Sequence, residues 1–494
     1  MPDDDVSAEV PVLMDLGDRA RAGARLTFVT QAAMQLGSIL ATVAMARLLT
    51  PMEFGLVAAV QTVMGVGAFA SAAALTTSLV TRRGDVARLA STYFWALAGI
   101  GSAIAALVAL GAEPLMQLFG LPEARWLLVV LVVSLPLTLV VQIPQALLQR
   151  DLDFRRLTIA TVVPALVFFV CEVALAASGF GPWAVVWGQV LSAVVGLGLT
   201  LVLARWLPGG GMAFGKLRED LGLVGGVSLS SVFAYLYKNV DYWGVGRGLG
   251  ADSLGRYYIA YVLPNILRVR LSGIFRVVLL PVLAKAPDAE TRRAHWRRAL
   301  LVTFFVGAPT LAGIAAIGRP LVEIFFGDQW NGVVRPMQIL MLGSVVDIVV
   351  NAVGTIAVSE RKVARHTTLL GVRVVLTLVG VLLALLLAPT LTGMACAVTA
   401  AALASLVVQH VIVSRPLALS LRPIAADLLL VVVMTTAMGL VAAVVTHELQ
   451  GSHAVLQIAA AVPAGIVTYL GTGVVLSRSR TTMLVRECRL LVGR

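Results

Sequence analysis

Fourteen apolar runs follow one another along the chain, near 26–46, 55–80, 91–112, 126–148, 157–178, 182–204, 221–244, 254–283, 299–318, 336–358, 366–388, 391–413, 424–446 and 453–476. Most are close to the roughly 20 residues that an α-helix needs to cross the hydrocarbon core of a bilayer. The pattern predicts an all-α polytopic membrane protein with about 14 transmembrane helices. Composition agrees, with 59% hydrophobic and 13% charged residues and a mean hydropathy of +0.93, against about 25% charged residues in soluble domains. No stretch between the runs is long enough for a soluble catalytic or ATP-hydrolysing module. His295, His366, His410, His447 and His453, and Cys171, Cys396 and Cys488, lack the spacing of a metal site or disulfide framework. No nucleophile–base arrangement appears, so the reading is a non-enzyme without metal or organic cofactor.

The formal charge of +12 reads as membrane orientation and not as affinity for nucleic acid. Of the 38 Lys and Arg residues, 27 fall in the N-terminal segment, the even-numbered loops and the C-terminal segment. The opposite side holds only Arg47, Arg125, Arg247, Arg256, Arg319 and Arg335. Cytoplasmic loops collect Lys and Arg, so both termini are expected in the cytoplasm. A missed span would scramble the alternation.

The chain also resembles itself. Arg47-Leu48-Leu49-Thr50-Pro51-Met52-Glu53-Phe54-Gly55 shares its Arg, its second Leu and its final Gly with Arg247–Gly255. Leu118-Phe119-Gly120 recurs as Phe325-Phe326-Gly327, Gln149-Arg150 as Glu360-Arg361, and Gly181–Ala184 as Gly393–Cys396. The order is kept and the offset grows slowly. Six spans separate the copies, so the halves share one orientation, a parallel repeat about an axis along the membrane normal. The expected divisions are an acidic N-terminal segment (1–25), an N-lobe (26–206), a linker (207–220), a C-lobe (221–415), spans 13 and 14 (416–476) and a basic cytoplasmic tail (477–494).

Two six-helix lobes plus two further helices resemble the multidrug/oligosaccharidyl-lipid/polysaccharide (MOP) flippase superfamily. The segments Ala46–Ala58, Ala146–Leu157 and Gly246–Tyr261 resemble its polysaccharide transporter branch of O-antigen and exopolysaccharide flippases. The resemblance implies a V-shaped, two-lobed transporter in the bacterial cytoplasmic membrane. It implies lipid-linked oligosaccharide as cargo, membrane lipids as surroundings, and polysaccharide polymerase or export machinery as candidate partners; the alternatives are a cation-coupled drug exporter of the same superfamily and a membrane glycan polymerase or ligase.

Charged residues inside the apolar runs are the candidate site. Span 8 carries Arg268, Arg270 and Arg276. An arginine at mid-membrane costs at least about 2.5–3.5 kcal/mol unless it meets water or a partner. Guanidinium forks suit phosphate oxygens, so the three are candidates for holding the diphosphate of a polyprenyl-linked saccharide. The alternatives are pairing with carboxylates, or Arg276 snorkelling to the cytoplasmic side. Lys238 and Asp241, three residues apart on span 7, form either a gate or a self-neutralising pair. Asp347 and Asn351 on span 10 and Arg373 on span 11 make a candidate polar network. In it Asp347 either takes a coupling proton or sodium ion or stays paired with Arg373. Glu172 on span 5 is the corresponding candidate in the first lobe, or is merely solvated at the outer boundary. The basic stretch Arg292–Arg298 reads as a solvated, lipid-facing loop, or as one that attracts anionic substrate headgroups.

Overall fold

The computed structural model describes residues 29–67, 72–81, 86–209, 214–285, 287–360, 362–415 and 419–492, with the side chains of 66–67, 72–74, 214–229, 269–285, 358–359, 363 and 489–492 excepted. Among these residues there is no β-strand. The chain divides into two compact units, Met1–Val232 and Phe233–Arg494.

In the first unit, helices α1 (Val29–Leu48), α2 (Pro51–Gly67), α3 (Ala72–Thr81) and α4 (Ala87–Leu110) are followed by a short α5 (Ala112–Leu118). The break before α2 is a capping box. The Thr50 N–H donates to Glu53 Oε2 (2.8 Å) and the Glu53 N–H donates back to Thr50 Oγ1 (3.3 Å), which satisfies two otherwise orphaned donors. The expected span at 126–148 is three pieces, α6 (Arg125–Leu131), α7 (Ser134–Val140) and α8 (Gln142–Arg150). Pro136 and Pro144 account for the breaks. A proline ring collides with the carbonyl four residues back, here those of Val132 and Val140, where the helix is interrupted. The unit closes with α9 (Phe154–Ala177) and α10 (Trp183–Ala204). These pack tightly because α10 turns glycines toward α9. A Cβ on Gly196 would lie 3.3 Å from Pro164, one on Gly188 would lie 3.3 Å from the Glu172 backbone, and Ser192 Oγ donates to the Pro164 carbonyl at 2.7 Å.

In the second unit α11 (Phe214–Lys285), which begins in the first, is interrupted at Gly250, whose φ of 82° and ψ of 178° no helix contains. It is two helices joined by a glycine that alone tolerates this conformation. The break falls at the counterpart of Thr50 in the internal repeat. There follow α12 (Ala289–Ala316), α13 (Gly318–Phe325), α14 (Val334–Ser359), α15 (Val363–Leu387), α16 (Leu391–Gln409), α17 (Ala425–Glu448) and α18 (Ala454–Val492). Gly120 after α5 and Gly327 after α13 both have positive φ, 72° and 90°, so this pair of the repeat shares its backbone as well as its letters. Gly181 (φ 54°) and Gly393, which lies inside α16, do not.

Eleven helices among the described residues are long and apolar enough to cross a membrane. They coincide with expected spans 1, 3–6 and 9–14, while spans 2, 7 and 8 fall on α2–α3 and the two arms of α11. Helix directions agree with that numbering. Phe233 meets Gly371, Tyr237 meets Arg373, Gly244 meets Val381 and Gly248 meets Leu385. The near-constant offset means that the first arm of α11 and α15 run parallel, as odd-numbered spans 7 and 11 must. Thr399 reaches the Ile339 carbonyl and Gln409 the Val350 carbonyl, so spans 10 and 12 are parallel. Trp296 bonds the Ala352 carbonyl and Gln338 the Ala315 carbonyl, so spans 9 and 10 are antiparallel.

One expectation needs correction. The basic stretch Arg292–Arg298 is not a loop but the first turns of α12, capped by Asp288, whose Oδ1 accepts from the Thr291 N–H at 2.7 Å. Trp296 in its middle is fully buried among Leu300, Ile356, Leu369 and Val413. The tail beyond 476 is likewise helical. Ser477 is extended (φ −162°, ψ 86°), and α18 resumes to Val492. Its Thr481 and Leu484 are buried, Arg480 pairs with Asp427 (3.5 Å), and Glu487 pairs with Arg298.

Candidate functional site: a cationic cleft in the second unit

Both arms of α11, with α14, α15 and α16, frame a cleft. Its far wall is small and apolar, with Val398, Ala401 and Ala402 of α16. Its polar lining is Lys238 and Tyr237 from the first arm of α11, Tyr261 and Arg268 from the second, Asp347 from α14, and Arg373 and Thr377 from α15. Gly244 and Gly248 hold the first arm close to α15, because a Cβ on either would run into Val381 or Leu385. That close approach brings Tyr237 against Arg373.

Arg373 is fixed from two sides. Its guanidinium lies over the Tyr237 ring, 4.2 Å from the centroid, and its Nη2 donates to Asp347 Oδ1 at 2.5 Å. Both side chains are largely buried, so the network expected for Asp347 and Arg373 takes the paired form. Asn351 stands one turn further along α14 and does not line the cleft. Arg268 is 8% exposed, and its Nη2 donates to Asn265 Oδ1 at 2.7 Å. Among the described residues no carboxylate pairs with it. Pro264, four residues before, leaves helical backbone intact. The side chains of Arg270 and Arg276 lie outside the described residues.

Lys238 and Asp241 do not pair. Asp241 is 1% exposed and turns the other way, accepting from the Tyr257 hydroxyl at 3.0 Å and from the Tyr242 N–H at 3.1 Å. Lys238 instead lines the cleft, 5.8 Å from the Tyr237 ring. Glu172 is buried in the first unit at the α9–α10 contact and is not solvated at a boundary. Three cations therefore face one carboxylate in the cleft. Among the described residues no group of His, Cys, Asp and Glu is placed to hold a metal ion.

Charge-based reading missed the tyrosines. Six of the chain's eight, Tyr235, Tyr237, Tyr242, Tyr257, Tyr258 and Tyr261, fall within 27 residues of sequence. Tyr242 packs on Tyr257, Tyr258 and Tyr261 with centroids 5.7, 6.2 and 5.7 Å away. This clustering on two consecutive spans was the available signal. The rings form the floor between Asp241 and the cleft.

The comparisons with known proteins agree with this architecture. The succinoglycan biosynthesis transport protein ExoT of Rhizobium meliloti (strain 1021) is 30% identical over 297 residues, 58% of each chain. The lipopolysaccharide biosynthesis protein WzxC of Escherichia coli (strain K12) is 25% identical over 362 residues, 71% of this chain and 72% of the relative. Among solved structures, the lipid II flippase MurJ superposes with a TM-score of 0.71 at 14% identity, over 92% of this chain and 99% of its own. An inward-facing multidrug resistance MATE transporter of the MOP superfamily gives 0.59 at 14% identity, over 76% and 94%. At that identity the two structures speak for the fold alone. Residues 44–335 match the family described as polysaccharide biosynthesis protein, and the chain belongs to that family, on the fold of the MOP superfamily.

Proposed function

We propose that this protein carries undecaprenyl-diphosphate-linked saccharide from the cytoplasmic to the outer leaflet of the bacterial inner membrane by alternating access, for polysaccharide export. The observation that carries the reading is the cleft with three cations against one carboxylate, part-way along helices that cross the membrane. A diphosphate entering hydrocarbon loses its hydration and needs fixed positive charge in exchange. Arg268 supplies a planar fork of donors suited to phosphate, and its described hydrogen-bond partners, Asn265 and Tyr237, are an amide and a phenol, not carboxylates. Arg270 and Arg276 follow on the same helix as further candidates. In this reading Glu172 and Asp347 are the carboxylates available to couple transport to a proton or sodium gradient, and Lys238, Asp241, Asn351 and Arg373 are the further candidates for coupling or gating. Both termini are in the cytoplasm. A cation-coupled drug exporter shares the fold, but cationic cargo is repelled by this cleft.

The test is mass spectrometry of the lipids of a depleted strain. Accumulation of undecaprenyl-diphosphate-linked oligosaccharide with loss of surface polysaccharide is expected. Loss of polysaccharide with an unchanged lipid-linked pool would overturn the reading.

A further inference from the structure

Asp347 is the one carboxylate among three cations of the cleft, and it holds a residue that an anionic cargo would also use. Arg373 is stacked on Tyr237 at 4.2 Å, so its plane is set whether or not Asp347 bonds it. A guanidinium has five N–H donors. Among the described residues the one hydrogen bond formed by this one is Nη2 to Asp347 Oδ1. Lys238 and Arg268 line the same cleft, and no described carboxylate pairs with either. Arg373 is thus preorganised for a phosphate and committed to a carboxylate.

We infer that Asp347 is a built-in competitor of the cargo: the diphosphate takes Arg373 from Asp347 on binding, and Asp347 takes it back on release. The inference rests on the proposed function. Its physical logic is turnover. Three cations free to close on a diphosphate would make a trap, and interactions that stabilise a bound state without stabilising passage lower KM without raising kcat. An internal carboxylate weakens the bound state and offers the guanidinium a partner as the cargo leaves. Asp347 is then a residue that sets affinity against rate, acting through Arg373.

The experiment measures binding of geranylgeranyl diphosphate to the purified full chain in detergent, for wild type, Asp347→Asn, Arg373→Gln and the double variant. Asp347→Asn should bind at least about fivefold tighter, the lower end of typical coupling between sites. In proteoliposomes it should lower KM and kcat together. In the Arg373→Gln background the same change should give about twofold or less, since only its general field remains; neighbouring groups that interact are non-additive in this way. A gain of equal size in both backgrounds would mean that Asp347 acts as a diffuse negative charge, and the inference fails. A wild-type measurement guards against an unstable variant. Infrared difference spectra on adding the probe should show a carboxylate change that moves in Asp347→Glu, and no such change overturns the inference. Binding by wild type with equal or weaker binding by Asp347→Asn sinks this inference alone. Binding by neither sinks the proposed function with it.

Discussion

Replacing Arg268 by alanine separates a cargo-binding arginine from a structural one, because the structure assigns the two cases opposite effects on stability. The arm of α11 after Gly250 runs to Lys285, about 52 Å at 1.5 Å per residue, and Arg268 lies about 27 Å along it, near its middle. An arginine at that depth costs about 2.5–3.5 kcal/mol on insertion scales, and removing it forfeits hydrogen bonds to Asn265 and Tyr237 but breaks no ion pair described here. Arg268→Ala should therefore reach the membrane at wild-type abundance. Each charge-assisted hydrogen bond to phosphate contributes about 1.5–3 kcal/mol. A forked pair is then worth about 3–6 kcal/mol, or roughly a hundredfold to ten-thousandfold in kcat/KM at 1.4 kcal/mol per decade. Arg268→Lys keeps the charge without the fork and should recover about half of that on the logarithmic scale. Export in a depleted strain, transport in proteoliposomes and membrane immunoblots read the two quantities separately. Arg373→Ala is the contrast, since it breaks a largely buried ion pair with Asp347, a loss of up to about 3–5 kcal/mol, and should lower abundance. Wild-type export by a normally abundant Arg268→Ala protein would refute the reasoning. So would loss of Arg268→Ala protein from the membrane while Arg373→Ala is tolerated.

Three further outcomes are expected. In a cysteine-free background, cysteines at the exposed positions 123 and 329 should react with an impermeant external reagent and one at the exposed position 290 should not; the reverse at either side contradicts the fourteen-span orientation. Glu172, 5% exposed, should tolerate Glu172→Gln without loss of abundance but with reduced export, and full export by that variant and by Asp347→Asn would remove both carboxylates from coupling. The Thr291 N–H and hydroxyl hold the exposed Asp288 carboxyl below its ordinary range. Its capping contribution is therefore complete above the unfolded carboxylate pKa and is lost as pH falls through the depressed one. Hydrogen exchange at 290–292, corrected for intrinsic rates, should quicken across that acidic window in wild type and show no such transition in Asp288→Ala.

What the sequence made legible follows from energy scale. A charge in hydrocarbon is costly enough that Lys238, Arg268, Asp347 and Arg373 stand out individually, and the cleft gathers all four. Tyrosine does not stand out, because its ring belongs in an apolar run and its hydroxyl is noticed only once Asp241 is seen to accept from Tyr257. The i,i+3 spacing of Lys238 and Asp241 suggested a pair, yet neighbours on other turns offered each a better environment. Hydropathy also hid the first turns of α12. Four arginines between 292 and 298 read as a loop, although arginine and alanine are good helix formers and Trp296 needed a buried seat.

The contact between Arg298 and Glu487 joins residues 189 positions apart, and this has a bearing on the order of synthesis. The basic turns of α12 leave the ribosome long before the tail helix that covers them, as does Asp427 before Arg480. At about 5–20 residues per second, α12 waits roughly 10–40 seconds for its last partners. During that interval Arg298 and Asp427 have water and lipid headgroups as company, and the seat of Leu484 is uncovered. Insertion of the spans and completion of the second unit are thus separate events in time. A truncation at Ser477 would hold the protein permanently in the earlier one, fully threaded but with the start of α12 uncovered.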